Sequence, residues 1–232
     1  MARRNGARWR LRLAALVLLM ALIGGATAWW HLRHWIPPRQ AFPQQGAEIG
    51  TLEGAVDWTA LKAVGADFAY LDASASAFAR DPAFVRNLEE AQAARLQVGA
   101  VHLYDPCQPA DRQAANFVTV VPRDSALLPP AVELDRLPDD CPVKVSDAAV
   151  ESELMTFLNQ IEAHTGKAAI LKLSGRFQRR FRVAAGIDRN LWLVGDRFQP
   201  DYAGRPWTLW TANSRLITEA GDEPLRWVVM QP

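Results

Sequence analysis

Ala131-Val132-Glu133-Leu134-Asp135 ends a short apolar run on two acids, and the rest of the chain falls into place around it. Glu133 and Asp135 are two residues apart, so both point to the same side of an extended chain. On either side lie helical patterns, Arg112–Val121 before and Asp147–His164 after. In the second, Val150, Leu154, Phe157, Leu158 and Ile161 recur at helical spacing and Gly166 follows as a stop signal. Further out the alternation continues. Strands are expected at Ala47–Ile49, Phe68–Leu71, Val98–Leu103, Ala168–Leu173, Leu191–Val194, Trp207–Trp210 and Arg226–Val229, and helices at Trp58–Val64 and Pro82–Arg95. Strands alternating with helices imply a parallel sheet with right-handed crossovers.

Length narrows the choice. A full (β/α)₈ barrel takes about 250 residues, and fewer than 190 remain behind the N-terminal segment. The last three strands are joined by short links containing Gly and Pro, too short for full helices. The fold class expected is therefore α/β, an irregular TIM-like barrel whose final strands lack helices, with a doubly wound open sheet as the alternative. No G-x-G-x-x-G or P-loop pattern follows any strand, which argues against dinucleotide and nucleotide chemistry.

The chain has 232 residues with a formal net charge of +1, an average over two unlike parts. Residues 1–43 hold seven Arg and no acid, whereas residues 44–232 hold 19 Lys and Arg against 25 acids. An acidic folded part is poorly suited to nucleic acid, where affinity comes mainly from neutralising phosphates. From Leu13 to Trp30 there is no charged residue, close to the roughly 20 apolar residues that span a bilayer. The expected organisation is a basic cytoplasmic leader over 1–12, a transmembrane signal-anchor over 13–30, a linker over 31–45 and a barrel over 46–232. Five Arg before the span and Trp29, Trp30 and Trp35 after it place the domain on the far side, in the periplasm. The alternative is secretion after cleavage at Ala26-Thr27-Ala28; two bulky Trp directly beyond that site favour the uncleaved anchor. In an exported protein Cys107 and Cys141, both in turn-like segments, are expected to pair, and no C-x-x-C or His cluster suggests a metal.

Catalytic groups of such barrels sit at the C-terminal ends of the strands. Here those ends carry Glu48, Asp72, Asp105, Glu133 and Asp135, with His102 and Tyr104 around the third strand. Paired carboxylates at a barrel mouth suit glycosidic cleavage, in which one donates a proton to the leaving oxygen and another stabilises positive charge or positions a nucleophile. Solvated loop acids and helix caps produce the same pattern.

The run Gly46-Ala47-Glu48-Ile49 followed by Glu53-Gly54-Ala55-Val56-Asp57-Trp58 resembles the opening of glycoside hydrolase family 25, the lysozyme-like muramidases. The similarity continues through Val64–Tyr70, Asp81–Phe84, Val98–His102, Gln113–Phe117 and Leu128–Asp135, and weakens toward Leu191–Leu193 and Trp207–Trp210. The resemblance implies a (β/α)₅(β)₃ barrel, no cofactor, peptidoglycan strands as partner, and hydrolysis of the β-1,4 bond between N-acetylmuramic acid and N-acetylglucosamine. It puts the general acid at Asp135, an assisting carboxylate at Glu133, and a further groove acid at Glu48.

At those positions the chain departs from the family pattern. The usual D-x-E is reversed as Glu133-Leu134-Asp135, the first-strand Asp is Glu48, and the usual Ser is Gly50. The H-x-Q-G stretch is Thr51-Leu52-Glu53-Gly54, and the late D-x-N is Pro224-Leu225-Arg226. Asp for Glu draws a carboxyl back by roughly 1.5 Å, and a misplacement of about 1 Å can cost on the order of 10²-fold in rate. Two readings follow: a weak or differently tuned muramidase, favoured by acid-for-acid replacement, and a peptidoglycan-binding module without turnover, favoured by Pro224 and Arg226. An envelope scaffold is a third class. His102, Tyr104, Asp72, Asp105 and Trp210 are expected to line the groove. Asp72 and Asp105 are also expected to raise the Asp135 carboxyl by like-charge repulsion, or else to face water. Trp192 and Trp227 read as core, and Arg176, Arg179, Arg180 and Arg182 as a solvated helix face.

Overall fold

The computed structural model describes residues 3–232, in two units that divide after Trp35. Met1 and Ala2 of the expected leader lie outside the described residues. The first unit is one helix, α1 (Arg3–Arg33), whose stretch Arg12–Arg33 is long and apolar enough to cross a membrane. A signal sequence has the same properties.

The second unit, from Ile36, is an eight-stranded barrel. In chain order its elements are β1 (Gln45–Ile49), α2 (Trp58–Val64), β2 (Phe68–Ala75), β3 (Ala79–Arg80), α3 (Phe84–Ala93), β4 (Gln97–Leu103), α4 (Ala110–Val120), β5 (Ala131–Leu134), α5 (Asp147–Thr165), β6 (Ile170–Leu173), α6 (Gly175–Phe181), α7 (Val183–Gly186), β7 (Asn190–Val194), β8 (Leu209–Leu216) and β9 (Leu225–Met230). The strands follow the order β1-β9-β8-β7-β6-β5-β4-β2, and β1 pairs with β2 to close the ring, while β3 is a two-residue addition to the end of β2. Pairing is parallel from β1 through β2 and β4 to β8, and antiparallel where β9 joins β8 and β1. This is the irregular barrel that length and alternation lead one to expect.

Local chemistry sets the helix ends. The Asp57 carboxylate accepts from the amides of Thr59 and Ala60 to start α2, and Ser146 accepts from Ala149 to start α5. Gly166, at φ 70°, ends α5 in the left-handed conformation that costs glycine little. Ser174 caps α6 through the amide of Phe177, which places the first turn of α6 directly beyond the end of β6.

Alternate residues of the strands fill the lumen. Phe68, Tyr70, Val101, Ala131, Ile170, Trp192, Leu209 and Val228 form one buried cluster. Gly46 and Gly99 make room for the two rings from β2, since a Cβ on either would fall 2.6 Å from a ring carbon of Phe68 or Tyr70. Where helices are absent, outside β8 and β9, the segment before β1 serves instead. Phe42 packs at 5.7 Å on Trp210 and 6.3 Å on Trp207, and the Gln45 amide donates to the carbonyls of Pro37 and Phe42. The second part of the linker expected over 31–45 therefore belongs to the barrel unit, which begins at Ile36 and buries Pro37, Phe42 and Gln45. Cys107 and Cys141 form a disulfide that ties the loop after β4 to the loop after β5. Their separation of 34 residues corresponds to about 3–4 kcal/mol in the chain-entropy account of cross-links.

Candidate active site

Glu48, Asp72, Glu133, Lys172 and Arg226 all stand near the C-terminal ends of the parallel strands and point to the lumen side. They share the parity of the core cluster: Glu133 pairs laterally with Lys172, and Arg226 lies opposite Glu48. Glu48 has no exposed surface, and both its oxygens accept from Lys172 Nζ at 2.6 and 2.7 Å. The same ammonium reaches Glu133 at 2.7 Å. Burial alone would lower the Lys172 ammonium, but the charges of Glu48 and Glu133 outweigh it and hold the group protonated.

Arg226 makes the second half of the cluster. Its guanidinium reaches Glu48 at 2.8 Å, both oxygens of Glu53 at 2.8 and 3.0 Å, and Asp72 at 2.7 Å. Burial works against the charged form, yet Glu48, Asp72 and Glu53 push the guanidinium still further up. Glu53 also accepts from the backbone amide of Gly50 at 2.7 Å, which fixes the turn after β1. Above this cluster opens a cleft of about 410 Å³, lined among others by Leu52, Asp72, Leu103, Glu133 and Arg226.

Asp135 stands apart at the rim. Arg176, from the first turn of α6, grips it with two parallel hydrogen bonds of 2.8 and 2.5 Å. Partial burial pulls the Asp135 carboxyl upward, but hydrogen bonds from Arg176 and Ser174 and the charges of Arg176 and Lys172 hold it below the usual range. The like-charge elevation expected from Asp72 and Asp105 is not found: burial is what raises this carboxyl, and Arg176, Ser174 and Lys172 lower it. The four-arginine run is also more than a solvated face, since Arg180 is paired with Asp139 and Asp147.

Of the residues expected to line the groove, Asp72 does so, whereas His102, Tyr104, Asp105 and Trp210 are buried away from the opening. Parity explains His102: Val101 and Leu103 line the cleft, so the residue between them turns toward the helices. There its ring lies 4.6 Å from Phe157, with Ser74 Oγ at 2.8 Å and Gln113 Oε1 at 3.3 Å. Tyr104 packs on Phe157 as well. Trp210 turns outward under Phe42 and donates to the Gly195 carbonyl at 2.6 Å. Asp105 holds its loop together, accepting from Ser76, from the Cys107 amide and from Arg136. Trp192 and Trp227 are core, as expected. Lys172 and Arg176 were not among the expected site residues, although a lysine inside an otherwise apolar strand was a signal for the first.

Burial lowers the His102 pKa to about 4, against smaller upward effects of Gln113 and Asp105. A depressed folded value means the unfolded chain takes up the proton first. The neutral ring therefore contributes stability above about pH 6.5 that is lost as pH falls toward 4, at most about 3 kcal/mol. Urea unfolding from pH 7 to 4 is expected to show this slope, and His102→Asn to flatten it; an equal slope in the variant would assign the loss to other groups.

Comparison with known proteins agrees with the barrel fold. The family model described as glycosyl hydrolases family 25 matches residues 48–216. The uncharacterized protein YegX of Escherichia coli K12 is 24% identical over 187 residues, covering 78% of this chain and 66% of its own length. The chain thus spans just under two thirds of that relative. Among solved structures, a family 25 glycosyl hydrolase from Bacillus anthracis superposes with a TM-score of 0.77 at 22% identity, over 85% of this chain and 92% of its own. A bacterial lysozyme from Streptomyces coelicolor gives 0.71 at 19% identity, over 81% and 91%. A family GH25 lysozyme from Aspergillus fumigatus gives 0.68 at 18% identity, over 82% and 94%.

Proposed function

Because this chain belongs to glycosyl hydrolases family 25, we propose that it is a lysozyme-like glycoside hydrolase of slow turnover. Its substrate in this reading is the β-1,4 bond between N-acetylmuramic acid and N-acetylglucosamine in peptidoglycan. The helix over 13–30 holds it in the inner membrane as a single pass, with the barrel in the periplasm. The observation that carries the reading is the open cleft at the barrel mouth, into which Asp72 and Glu133 both face. Glu133, paired with the Lys172 ammonium at 2.7 Å, suits stabilisation of the positive charge that develops on the sugar ring. Glu48 lies beneath and holds Lys172 and Arg226 in place. Asp135 stands where the family donor stands, and has to shed Arg176 before it can donate.

One observation favours a second reading, glycan binding without turnover: Glu48, Glu53, Asp72, Glu133 and Asp135 each have a cationic partner. Incubation of the full-length protein in mild detergent with purified sacculi separates the two. Slow release of reducing ends, greatest on the acidic side of neutrality, is the expected result. Co-sedimentation with sacculi but no release at any pH between about 4 and 8 would replace the hydrolase with the binding module.

A further inference from the structure

Inside the barrel mouth four carboxylates share two cations. Glu48, Glu53, Asp72 and Glu133 are paired with Lys172 and Arg226, so full ionisation leaves two negative charges uncompensated. Uptake of one proton relieves part of that repulsion. Glu48 is sealed and held by both cations, and Glu53 is buried with three donors around it. Of the four, Asp72 and Glu133 line the open cleft. Glu133 has the Lys172 ammonium, whose other partner is Glu48 alone. Asp72 draws on a guanidinium divided among three carboxylates. Its weaker share of positive charge makes Asp72 the place where the proton settles. Arg80 and Asp81 also line this cleft, with Arg80 bonded to Asn116 and Asp81 to Thr51, and their opposite charges cancel, so together they leave the balance of four acids and two cations unchanged.

The direction of its titration agrees. Burial, the largest influence, and the charge of Glu48 raise the Asp72 carboxyl above its usual value, against the lowering effects of Arg226 and Lys172. A separate observation shows that the backbone leaves room for this side chain. A Cβ on Gly50 would fall 2.8 Å from both Cβ and Cγ of Asp72. The serine that the family pattern puts at position 50 would force this carboxyl out, so Gly50 and Asp72 go together. The strand register also slips between Asp72 and Ser74, a bulge at the rim of the kind that re-aims side chains beside active sites.

We propose that Asp72 is the proton donor of glycosidic cleavage in this chain, in place of Asp135, with Glu133, the carboxylate paired with Lys172, as its partner in the cleft. This assignment rests on the hydrolase reading above. Asp72 gives its carboxyl proton to the bridging oxygen as the C1–O bond breaks, and the bonding pair goes to that oxygen. Water adds to C1 and gives its proton to Glu133. A proton returned through solvent from Glu133 to Asp72 restores both groups.

The test compares the full-length wild type with Asp72→Asn and Asp72→Glu on purified sacculi, with thermal melts to confirm folding. Asp72→Asn is expected to lower release by at least about 100-fold across the pH range. Its binding to sacculi stays, and added formate, a small external acid, restores part of the rate. Asp72→Glu keeps measurable release with a displaced alkaline limb of the pH profile. Release by Asp72→Asn within about threefold of wild type, or a loss that formate leaves untouched, overturns the assignment. If Asp72→Asn does not fold, Asp72→Glu decides: a displaced limb supports Asp72 as donor and an unmoved one overturns it. Absence of release by the wild type is a different outcome, which overturns the hydrolase reading itself and this assignment with it.

Discussion

Arg226→Met is expected to destabilise the barrel by about 3–5 kcal/mol, the range found when one partner of a buried ion pair is removed. For a chain of this size that lowers the unfolding midpoint by roughly 6–20 °C. One guanidinium serves Glu48, Glu53 and Asp72 at 2.7–3.0 Å, so its loss strands three acids at once. Glu48 retains Lys172, whereas Glu53 keeps only the Gly50 amide. The sign of the pH dependence follows. The stranded charge costs stability only while these acids are ionised, so the deficit is smallest below the ordinary carboxylate range and grows as pH rises above it. Thermal melts at pH 4 and pH 7 check this. A deficit equal at both pH values would place the damage in lost packing rather than in stranded charge.

Lys172→Met is expected to be about as costly, for a different reason. The ammonium is 5% exposed and lies between Glu48, which is fully buried, and Glu133, which faces the cleft. Methionine keeps the volume and the contact with the Trp192 ring, over which Nζ sits at 5.1 Å, but leaves Glu48 with Arg226 as its single cation. The double variant Glu48→Gln with Lys172→Met removes the stranded charge along with its partner. It is expected to recover most of the loss, a coupling of about 2–3 kcal/mol. Additive losses in urea titrations of the two single variants and the double would mean that the pair contributes little.

Much of the fold was legible before the structure because its signals are local. The alternation of apolar runs with 3.6-residue patterns located all eight barrel strands, although β2 and β8 run four and six residues past their expected ends, and Gly166 ended α5 where expected. The Cys107–Cys141 pairing followed from compartment and turn chemistry. The site was less legible because its bonds are not local. Glu48 and Lys172 are 124 residues apart, Glu53 and Arg226 are 173 apart, and Arg176 reaches Asp135 across 41. No window of sequence contains both partners. His102, Tyr104 and Trp210 were misplaced for a simpler reason: closeness to a strand end does not say which way a side chain turns, and a one-residue step reverses it. The α6 segment was read as a solvated helix face, and the helix is there, but nothing in its seven residues and three arginines showed that Arg176 would turn back onto Asp135.

The aromatic floor of the barrel has a consequence for how a polymer can be handled. Tyr70 and Trp192 close the lumen directly beneath the charged cluster, with Gly46 and Gly99 giving the β2 rings their room, so nothing can thread through. Whatever the cleft takes up is therefore held at the rim alone, and the strand ends and loops around that opening carry all of its recognition.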